Sequence, residues 1–187
     1  MSEISSDILK KAARGDIGAF EQIYKETSGF IYNVVFRIAG NKEDACEITQ
    51  DVFMKIYRSL KFFKEQSSFK TWAYRIAANT ALNFVRGKPK DVSGKVELDE
   101  IEEVSSGGAT ARDNIDREIS QKRVKFLLDK LNPEQRVCIV LREMEGLDYK
   151  DMAKVLNINI NTVRTRLKRA REKLAGLVEK GDIKNGL

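Results

Sequence analysis

The stretch that most constrains the fold is residues 161–174, NTVRTRLKRAREKL, because its residue order describes a helix with one apolar side and one cationic side. At about 100° per residue, the apolar side chains share one narrow stripe: Val163, Leu167, Ala170 and Leu174. The opposite side and the two flanks are polar and mostly basic: Thr165, Lys168, Arg169 and Glu172, then Arg164 with Arg171, and Arg166 with Lys173. The stretch should therefore pack one seam on a core and expose a basic surface.

Such a surface is suited to DNA. A helix fits the major groove, Arg and Lys bond the guanine edge, and flanking cations neutralise phosphates. A solvated surface helix has the same pattern, however. The residues that precede the helix must therefore decide between the two interpretations.

The preceding segment predicts a helix-turn-helix. Residues 147–156 have the pattern of a shorter helix, with Asp148 as N-cap and with Leu147 and Met152 at the two positions of a hydrophobic staple. Residues 157–160 form the turn, and Asn161 is expected to cap the basic helix. Two short helices joined by a tight turn, the second of them basic, are typical of this DNA-binding motif.

A third helix is predicted before these two. Asn132 is its expected N-cap, Pro133 stands at the first helical position, Gln135 completes a capping box, and Gly146 ends the helix. Its apolar side would provide the core on which the other two helices rest: Val137, Val140, Leu141 and Met144.

Charge divides the chain into blocks. The net charge of +6 is spread as +4 over residues 1–89, −5 over residues 90–119 and +7 over residues 120–187. Periodicity disappears between about residues 87 and 120, where Gly, Ser, Asp and Glu dominate. We therefore expect an N-terminal domain of residues 1–88, a flexible acidic linker of residues 89–120 and a C-terminal domain of residues 121–187.

Several classes of function are disfavoured by composition. The chain has no histidine, which removes the commonest general base and the commonest zinc ligand. Cys46 and Cys138 stand far apart and are expected to be reduced and structural. No apolar run approaches the ~20 residues of a membrane span. We expect a cytoplasmic protein without catalytic residues, metal, cofactor or membrane insertion.

The pattern of the N-terminal half predicts a series of helices. Caps at Ser5 or Ser6 and at Asp16, with breaks at Gly15 and Gly40, predict two helices before residue 39, and a third runs from Asn41 to about Leu60. One face of the third helix carries Asp44, Glu47 and Asp51, continued by Lys55 and Arg58. This row is either a solvated face or a surface for docking a protein partner, and spacing leaves both open.

The next helix carries an unusual polar and aromatic face. A loop with Phe62 and Phe63 precedes it, Ser68 is its expected cap, and it runs from Phe69 to about Arg86. Five residues share one side of it: Trp72, Arg75, Asn79, Asn83 and Arg86. An indole, two guanidiniums and two amides suit unpaired bases, which need stacking partners and hydrogen-bonding groups. The alternative is a tryptophan at the edge of a hydrophobic core, beside a solvent-exposed helix face that has no binding role.

Taken together, these pieces resemble a bacterial RNA polymerase sigma factor of the extracytoplasmic-function (ECF) group in the sigma-70 family. In the first half the resemblance rests on GD at 15–16, AF at 19–20, DA at 44–45, QDVF at 50–53 and FKTWAYRIA at 69–77. In the second half it rests on Leu131 with Pro133, GL at 146–147, MA at 152–153, TVRTR at 162–166 and RAR at 169–171. It covers the chain from about Arg14 to Leu174, apart from the linker.

The resemblance implies a role for each face. The row on the third helix would dock on core RNA polymerase through Asp44, Glu47, Gln50, Asp51 and Lys55. The fourth helix and its loop would bind and melt the −10 promoter element and hold the non-template single strand: Phe63, Trp72, Tyr74, Arg75, Asn79, Asn83 and Arg86. The basic helix would bind the −35 element as duplex DNA: Arg164, Thr165, Arg166, Lys168, Arg169 and Arg171. The family also implies an anti-sigma factor as regulator.

The expected protein is thus all-α, with a sigma region 2 bundle and a sigma region 4 helix-turn-helix, and is not an enzyme. Two other interpretations remain at this stage. One is a stand-alone helix-turn-helix regulator, which would leave the N-terminal half without a use. The other is an enzyme acting on nucleic acid, which the absence of histidine and of an acidic metal cluster in the sequence disfavours.

Overall fold

The computed structural model describes residues 4–88 and 111–179, and the side chains of the second range from residue 119 onward. Every regular element in these ranges is helical, as predicted. The helices are α1 Ser6–Ala13, α2 Ile17–Ala39, α3 Lys42–Ser59, α4 Phe69–Gly87, α5 Ala111–Asp129, α6 Pro133–Ile139, α7 Tyr149–Leu156 and α8 Ile160–Glu179. A 3₁₀ turn, Leu60–Phe62, follows α3, and a π-helical turn, Val140–Met144, continues α6.

The predicted helix starts in the N-terminal half are confirmed by side-chain caps. Asp16 accepts the amide of Ala19 at 2.9 Å, and Ser68 accepts the amide of Thr71 at 3.1 Å. Ser5 and Asn41 cap α1 and α3 in the same way. Gly40 ends α2 in the left-handed backbone conformation, with φ at 90°. Residues that have a Cβ adopt this conformation only with steric strain.

The N-terminal domain is a bundle in which α2, α3 and α4 pack on one another, and α1 packs on α2 and on the 3₁₀ turn. Its core is aliphatic and fully buried at Ile23, Ile31, Ile48, Val52 and Ile56. The side of α4 that faces this core carries alanines at 73, 77 and 81, all without exposure, so α4 lies close to its neighbours. The bundle therefore leaves the opposite side of α4 for other contacts.

The C-terminal domain places α6, α7 and α8 around a second part of the core. Val137, Leu141, Met152, Val163 and Leu167 are buried there. The capping box at Asn132 is confirmed, since its side chain accepts the Gln135 amide at 2.8 Å while the Gln135 side chain accepts the Asn132 amide. Asp148 caps α7 by accepting the amide of Asp151 at 2.7 Å.

Two expectations about helix starts differ from the structure. Asn161 does not cap α8, because the helix already begins at Ile160 and the Asn159 side chain accepts the Asn161 amide at 2.8 Å. Helix α5 begins at Ala111, within the range that we assigned to the linker. The rest of that linker, residues 89–110, lies outside the described residues.

The two domains contact each other. α4 packs against α7 and α6, and the C-terminal end of α2 reaches α5 and α6. Arg136 of α6 donates to the carbonyl of Ile38 at 3.2 Å and pairs with Asp129 at 3.4 Å. In the part of the chain that the structure describes, no helix combines the length and the apolar character needed to cross a membrane.

Candidate nucleic-acid interface

Helix α8 separates its buried and its exposed residues as the sequence pattern predicted. Val163 and Ala170 are fully buried and Leu167 is 1% exposed, so this side is fixed on the core. The exposed residues on the other side are Arg164, Thr165, Lys168 and Arg169. Arg164 bonds the Asn161 side chain at 2.9 Å, and the Thr165 hydroxyl donates to the Asn161 carbonyl at 2.9 Å. The four side chains form a cationic and hydroxyl-bearing surface, which we call the α8 face.

The other two basic residues expected at this surface have partners inside the domain. Arg166 is half-buried beside Glu134 and Cys138. Burial raises the pKa of the Cys138 thiol to about 11, and the charge and hydrogen bond of Arg166 oppose that rise. Arg171 pairs with Glu143 at 2.6 Å, and this hydrogen bond raises the pKa of its guanidinium. Arg166 and Arg171 therefore border the α8 face, and α6 and its π-helical turn supply their partners.

The turn before α8 depends on asparagine. Asn157 ends α7 in the left-handed conformation at φ 52° and ψ 49°. Asparagine tolerates this conformation better than most residues with a Cβ. The amide of Ile158 then bonds the carbonyl of Ala153 at 3.0 Å and closes the end of α7. This turn sets the position from which the α8 face projects.

An aromatic cluster forms where the 63–69 loop meets α4. The ring centroid of Trp72 lies 5.1 Å from that of Phe63 and 5.7 Å from that of Phe69. Phe69 is buried, whereas Trp72 and Phe63 are half-buried, and Phe62 next to them is 69% exposed. The cluster thus has an anchored inner ring and outer rings with accessible surface. Accessible rings of this kind can stack on unpaired bases.

The other residues that share the Trp72 side of α4, which we call the α4 stripe together with Trp72, divide into two groups. Arg75 and Asn83 are exposed. Asn79 donates to the carbonyl of Val155 in α7 at 2.7 Å, and Arg86 pairs with Glu134 in α6 at 2.7 Å. No local pattern indicates Glu134 as the partner of Arg86, because the two residues are 48 positions apart.

Tyr74, which the resemblance assigns to the −10 residues, lies outside the polar face of α4. It is 1% exposed, its ring meets Phe30 edge-on at 5.5 Å, and its hydroxyl donates to Glu145 of the C-terminal domain. Burial, followed by the hydrogen bond and charge of Glu145, raises the pKa of the phenol well above its usual range. A base cannot reach Tyr74 in this arrangement, because the ring is buried and the hydroxyl is bound to Glu145.

The residues of the α3 row differ in their exposure to solvent. Glu47, Gln50, Asp51 and Lys55 are exposed, with the Lys55 ammonium donating to Thr80 at 3.1 Å. Asp44 is 8% exposed, and its carboxylate accepts from Lys88 at 2.6 and 2.7 Å and from Asn41 at 2.7 Å. Asp44 is therefore occupied within the N-terminal domain instead of lying on the open part of the row.

Two apolar residues extend the α3 row and were missed from the sequence. Met54 is 51% exposed and Tyr57 is 44% exposed, and the Tyr57 ring contacts Phe20 at 4.9 Å. Met54 follows Asp51 by three positions, so helical spacing was the signal that could have placed it beside the acidic residues. Exposed apolar side chains next to charges are typical of protein docking surfaces.

Comparison with known protein families accounts for both domains. The family description "Sigma-70 region 2" matches residues 23–90, and "Sigma-70, region 4" matches residues 121–174. The chain is also 32% identical over 187 residues to the ECF RNA polymerase sigma-E factor of Escherichia coli, covering 96% of this chain and 97% of that protein. The chain belongs to the ECF group of the sigma-70 family. It is an RNA polymerase sigma factor that directs transcription initiation, and sigma factors are non-enzymatic subunits of the polymerase.

Other relatives agree over nearly the whole sigma factor. The RNA polymerase sigma-H factor of Pseudomonas aeruginosa is 34% identical over 183 residues, covering 91% of each chain. This full-length match removes the stand-alone regulator and the nucleic-acid enzyme from consideration. The N-terminal half of the sigma factor is accounted for as region 2, and the helix-turn-helix as region 4.

Two solved structures share the fold. One is CnrH in complex with the cytosolic domain of CnrY, at a TM-score of 0.68 and 22% identity, covering 95% of this chain and 99% of that one. The other is the sigma factor RpoE in complex with the anti-sigma factor NepR from Bartonella quintana, at a TM-score of 0.61 and 23% identity, covering 86% and 96%. At these identities the likeness establishes the fold of the sigma factor.

Proposed function

We propose that this sigma factor carries three separate contact surfaces: the open part of the α3 row for core polymerase, the Trp72 end of α4 for the −10 element, and the α8 face for the −35 element. The observation that carries the proposal is the presence, in one chain, of an exposed cationic helix face and an accessible aromatic cluster. The first suits duplex DNA, and the second suits unpaired bases.

The −35 contact would come from Arg164, Thr165, Lys168 and Arg169. Their side chains are exposed on the side of α8 opposite its buried seam, so the helix can enter a major groove without disturbing the core. Arg and Lys donate to the guanine edge, and Thr donates or accepts. Arg166 and Arg171, which border the α8 face, would stabilise the helix or reach phosphates.

The −10 contact would involve stacking as well as hydrogen bonds. Flipping a base out of a duplex costs a few kcal/mol, and base–aromatic stacking returns ~1–3 kcal/mol per base. Trp72 and Phe63 offer the rings, while Arg75 and Asn83 offer donors beside them. This set is of the right size to help hold open a duplex that polymerase has already bound.

The polymerase contact would use Glu47, Gln50 and Asp51 together with Met54 and Tyr57. The combination of carboxylates with exposed apolar side chains suits a protein partner better than it suits DNA, which the carboxylates would repel. We also propose that the protein acts in the cytoplasm and that it binds an anti-sigma factor, since the structurally similar sigma factor RpoE was solved in complex with the anti-sigma factor NepR.

Run-off transcription tests the proposal. Core polymerase free of sigma factor is mixed with fragmented genomic DNA from the source organism, with and without this protein. Discrete new transcripts that share two upstream elements are the expected result, and they define the promoter. Failure to produce any promoter-specific transcript with active core polymerase contradicts the proposed assignment of the three surfaces.

A further inference from the structure

A side chain at the start of α1 reaches the 63–69 loop. The Ser6 hydroxyl donates to the Glu65 carboxylate at 2.9 Å, across 59 positions of the chain. Glu65 follows closely after Phe63, whose ring centroid lies 5.1 Å from that of Trp72. The hydrogen bond therefore joins α1 to the segment that carries one of the two rings that we assign to the −10 element.

The backbone of the loop is strained at the residue that Ser6 holds. In the described ranges, Glu65 and Asn157 are the two residues with a Cβ that have a positive φ, each at 52°. Asparagine tolerates this left-handed conformation through its short polar side chain, whereas glutamate adopts it less readily. Strained conformations persist where the surrounding contacts fix them. The hydrogen bond from Ser6 is a contact of this kind.

Helix α1 is a firm support for the loop, because its inner side is buried. Leu9 and Ala12 are 6% and 4% exposed, and the helix packs on α2 and on the 3₁₀ turn Leu60–Phe62. That turn comes directly before the loop, and the amide of Phe63 donates to the Leu60 carbonyl at 3.0 Å. Helix α1 thus supports the loop at its start through packing and at its centre through the hydrogen bond.

We propose that Ser6 is a positioning residue for the −10 contact: by holding Glu65, it fixes the 63–69 loop so that Phe63 stands beside Trp72, ready to stack on an unpaired base. The proposal rests on the proposed function of the Trp72 end of α4. A loop that is already ordered binds more tightly than one that must be ordered on binding. The role also gives a physical reason for a carboxylate in a loop that faces DNA, where its charge alone is unfavourable.

The hydrogen bond acts on geometry more than on stability. Glu65 is exposed and Ser6 is half-buried, so water competes for both groups and their bond adds little to the stability of region 2. Removing the hydroxyl should therefore release the loop without unfolding the bundle. The effect on DNA binding can then be measured in a folded sigma factor.

The test uses four single variants. Ser6→Ala removes the hydroxyl and leaves a residue that favours a helix. Ser6→Thr keeps the donor, and Glu65→Gln keeps an acceptor at the same position. The matched control is Ser5→Ala, because Ser5 caps α1 by accepting the Ile8 amide at 3.4 Å. Its loss weakens the start of α1 and leaves the hydroxyl of Ser6 in place.

Each variant is assembled with core polymerase and titrated with a fluorescent −10 non-template oligonucleotide, taken from a promoter found by run-off transcription. We expect binding about fivefold weaker for Ser6→Ala, and binding within about twofold of wild type for the other three variants. Thermal melts and saturation with core polymerase verify that each variant is folded. Wild-type affinity in Ser6→Ala overturns the proposal. Equal losses in Ser6→Ala and Ser5→Ala also overturn it, because weakening of α1 then explains both.

A double-mutant cycle tests whether Ser6 acts through the aromatic ring. In a Phe63→Ala background, Ser6→Ala should have no further effect on oligonucleotide binding, because the ring that the loop presents is absent. A further loss of about fivefold in that background contradicts the positioning role. Failure of the proposed function is recognised separately, since Phe63→Ala and Trp72→Ala holoenzymes would then bind the oligonucleotide as the wild type does.

Discussion

Replacing Trp72 by Ala should impair promoter opening without preventing polymerase binding. The indole contacts Phe63 and Phe69 at centroid distances of 5.1 and 5.7 Å and keeps part of its surface accessible. Loss of one base–aromatic stack costs ~1–3 kcal/mol, which corresponds to about a 5- to 150-fold shift in the opening equilibrium. The open α3 row lies on another helix, so affinity for core polymerase should change by less than about twofold.

The same substitution also affects folding, and the assay must separate the two effects. Removing a fully buried Trp costs about 3–5 kcal/mol, and a half-buried one costs less, so region 2 should lose about 2 kcal/mol of stability. Phe84→Ala is the matched control, because Phe84 is half-buried on the same helix but lies outside the stripe. It should lower the melting temperature and leave opening unchanged.

Opening is measured by permanganate reactivity of −10 thymines in the holoenzyme, at a temperature where both variants are folded. We expect low reactivity for Trp72→Ala and wild-type reactivity for Phe84→Ala. Equal losses in the two variants would show that stability, and not stacking, limits opening. Wild-type reactivity in Trp72→Ala would refute the stacking role outright.

Three further predictions follow from other parts of the sigma factor. Arg169→Ala should weaken −35 binding by about 1–3 kcal/mol if its guanidinium bonds a guanine, and unchanged promoter selectivity in competition run-off assays contradicts this. Asn132→Ala breaks the capping box and should lower the free energy of unfolding, measured by urea titration, by about 1 kcal/mol. An unchanged free energy of unfolding would show that this cap does not stabilise the protein. Asp148 has its pKa lowered, chiefly by the hydrogen bond from the Asp151 amide. The contribution of this carboxylate to stability is therefore present above the unfolded pKa of about 3.9 and lost as pH falls through the lower folded value. The stability difference between wild type and Asp148→Asn should accordingly shrink in acid, and a constant difference from neutral pH to pH of about 2 contradicts the assignment.

Local signals predicted most helix limits, because caps act over three or four residues. Asp16, Asn41 and Ser68 each accept an amide three positions ahead, so the sequence contains both partners within one turn. The capping box at Asn132 is equally local. Asn161 failed as a cap because Asn159 offers the same side chain two residues earlier and the helix begins at the earlier site. Two candidate caps of the same residue type that stand two positions apart cannot be ranked from spacing alone.

The exposed faces could be predicted only in part. Helical periodicity correctly separated the α8 face from the buried side of the helix, because the position of a residue around the helix axis decides whether it faces the core. It could not show that Asp44 is bound by Lys88, 44 positions away, or that Tyr74 is covered by Glu145, 71 positions away. These contacts depend on how helices from distant parts of the chain meet, and no local pattern encodes that.

The Asn79–Arg86 end of α4 explains why a polar stripe was hard to interpret. Amide and guanidinium groups donate to any well-placed acceptor, whether it is a base edge, a phosphate, a carboxylate or a carbonyl. In region 2 the Arg86 guanidinium donates to the Glu134 carboxylate of region 4, and the Asn79 amide donates to the Val155 carbonyl of region 4. Spacing along one helix therefore cannot distinguish a donor that meets a neighbouring domain from one that is exposed for an outside partner, because both require only a polar side chain on the same face.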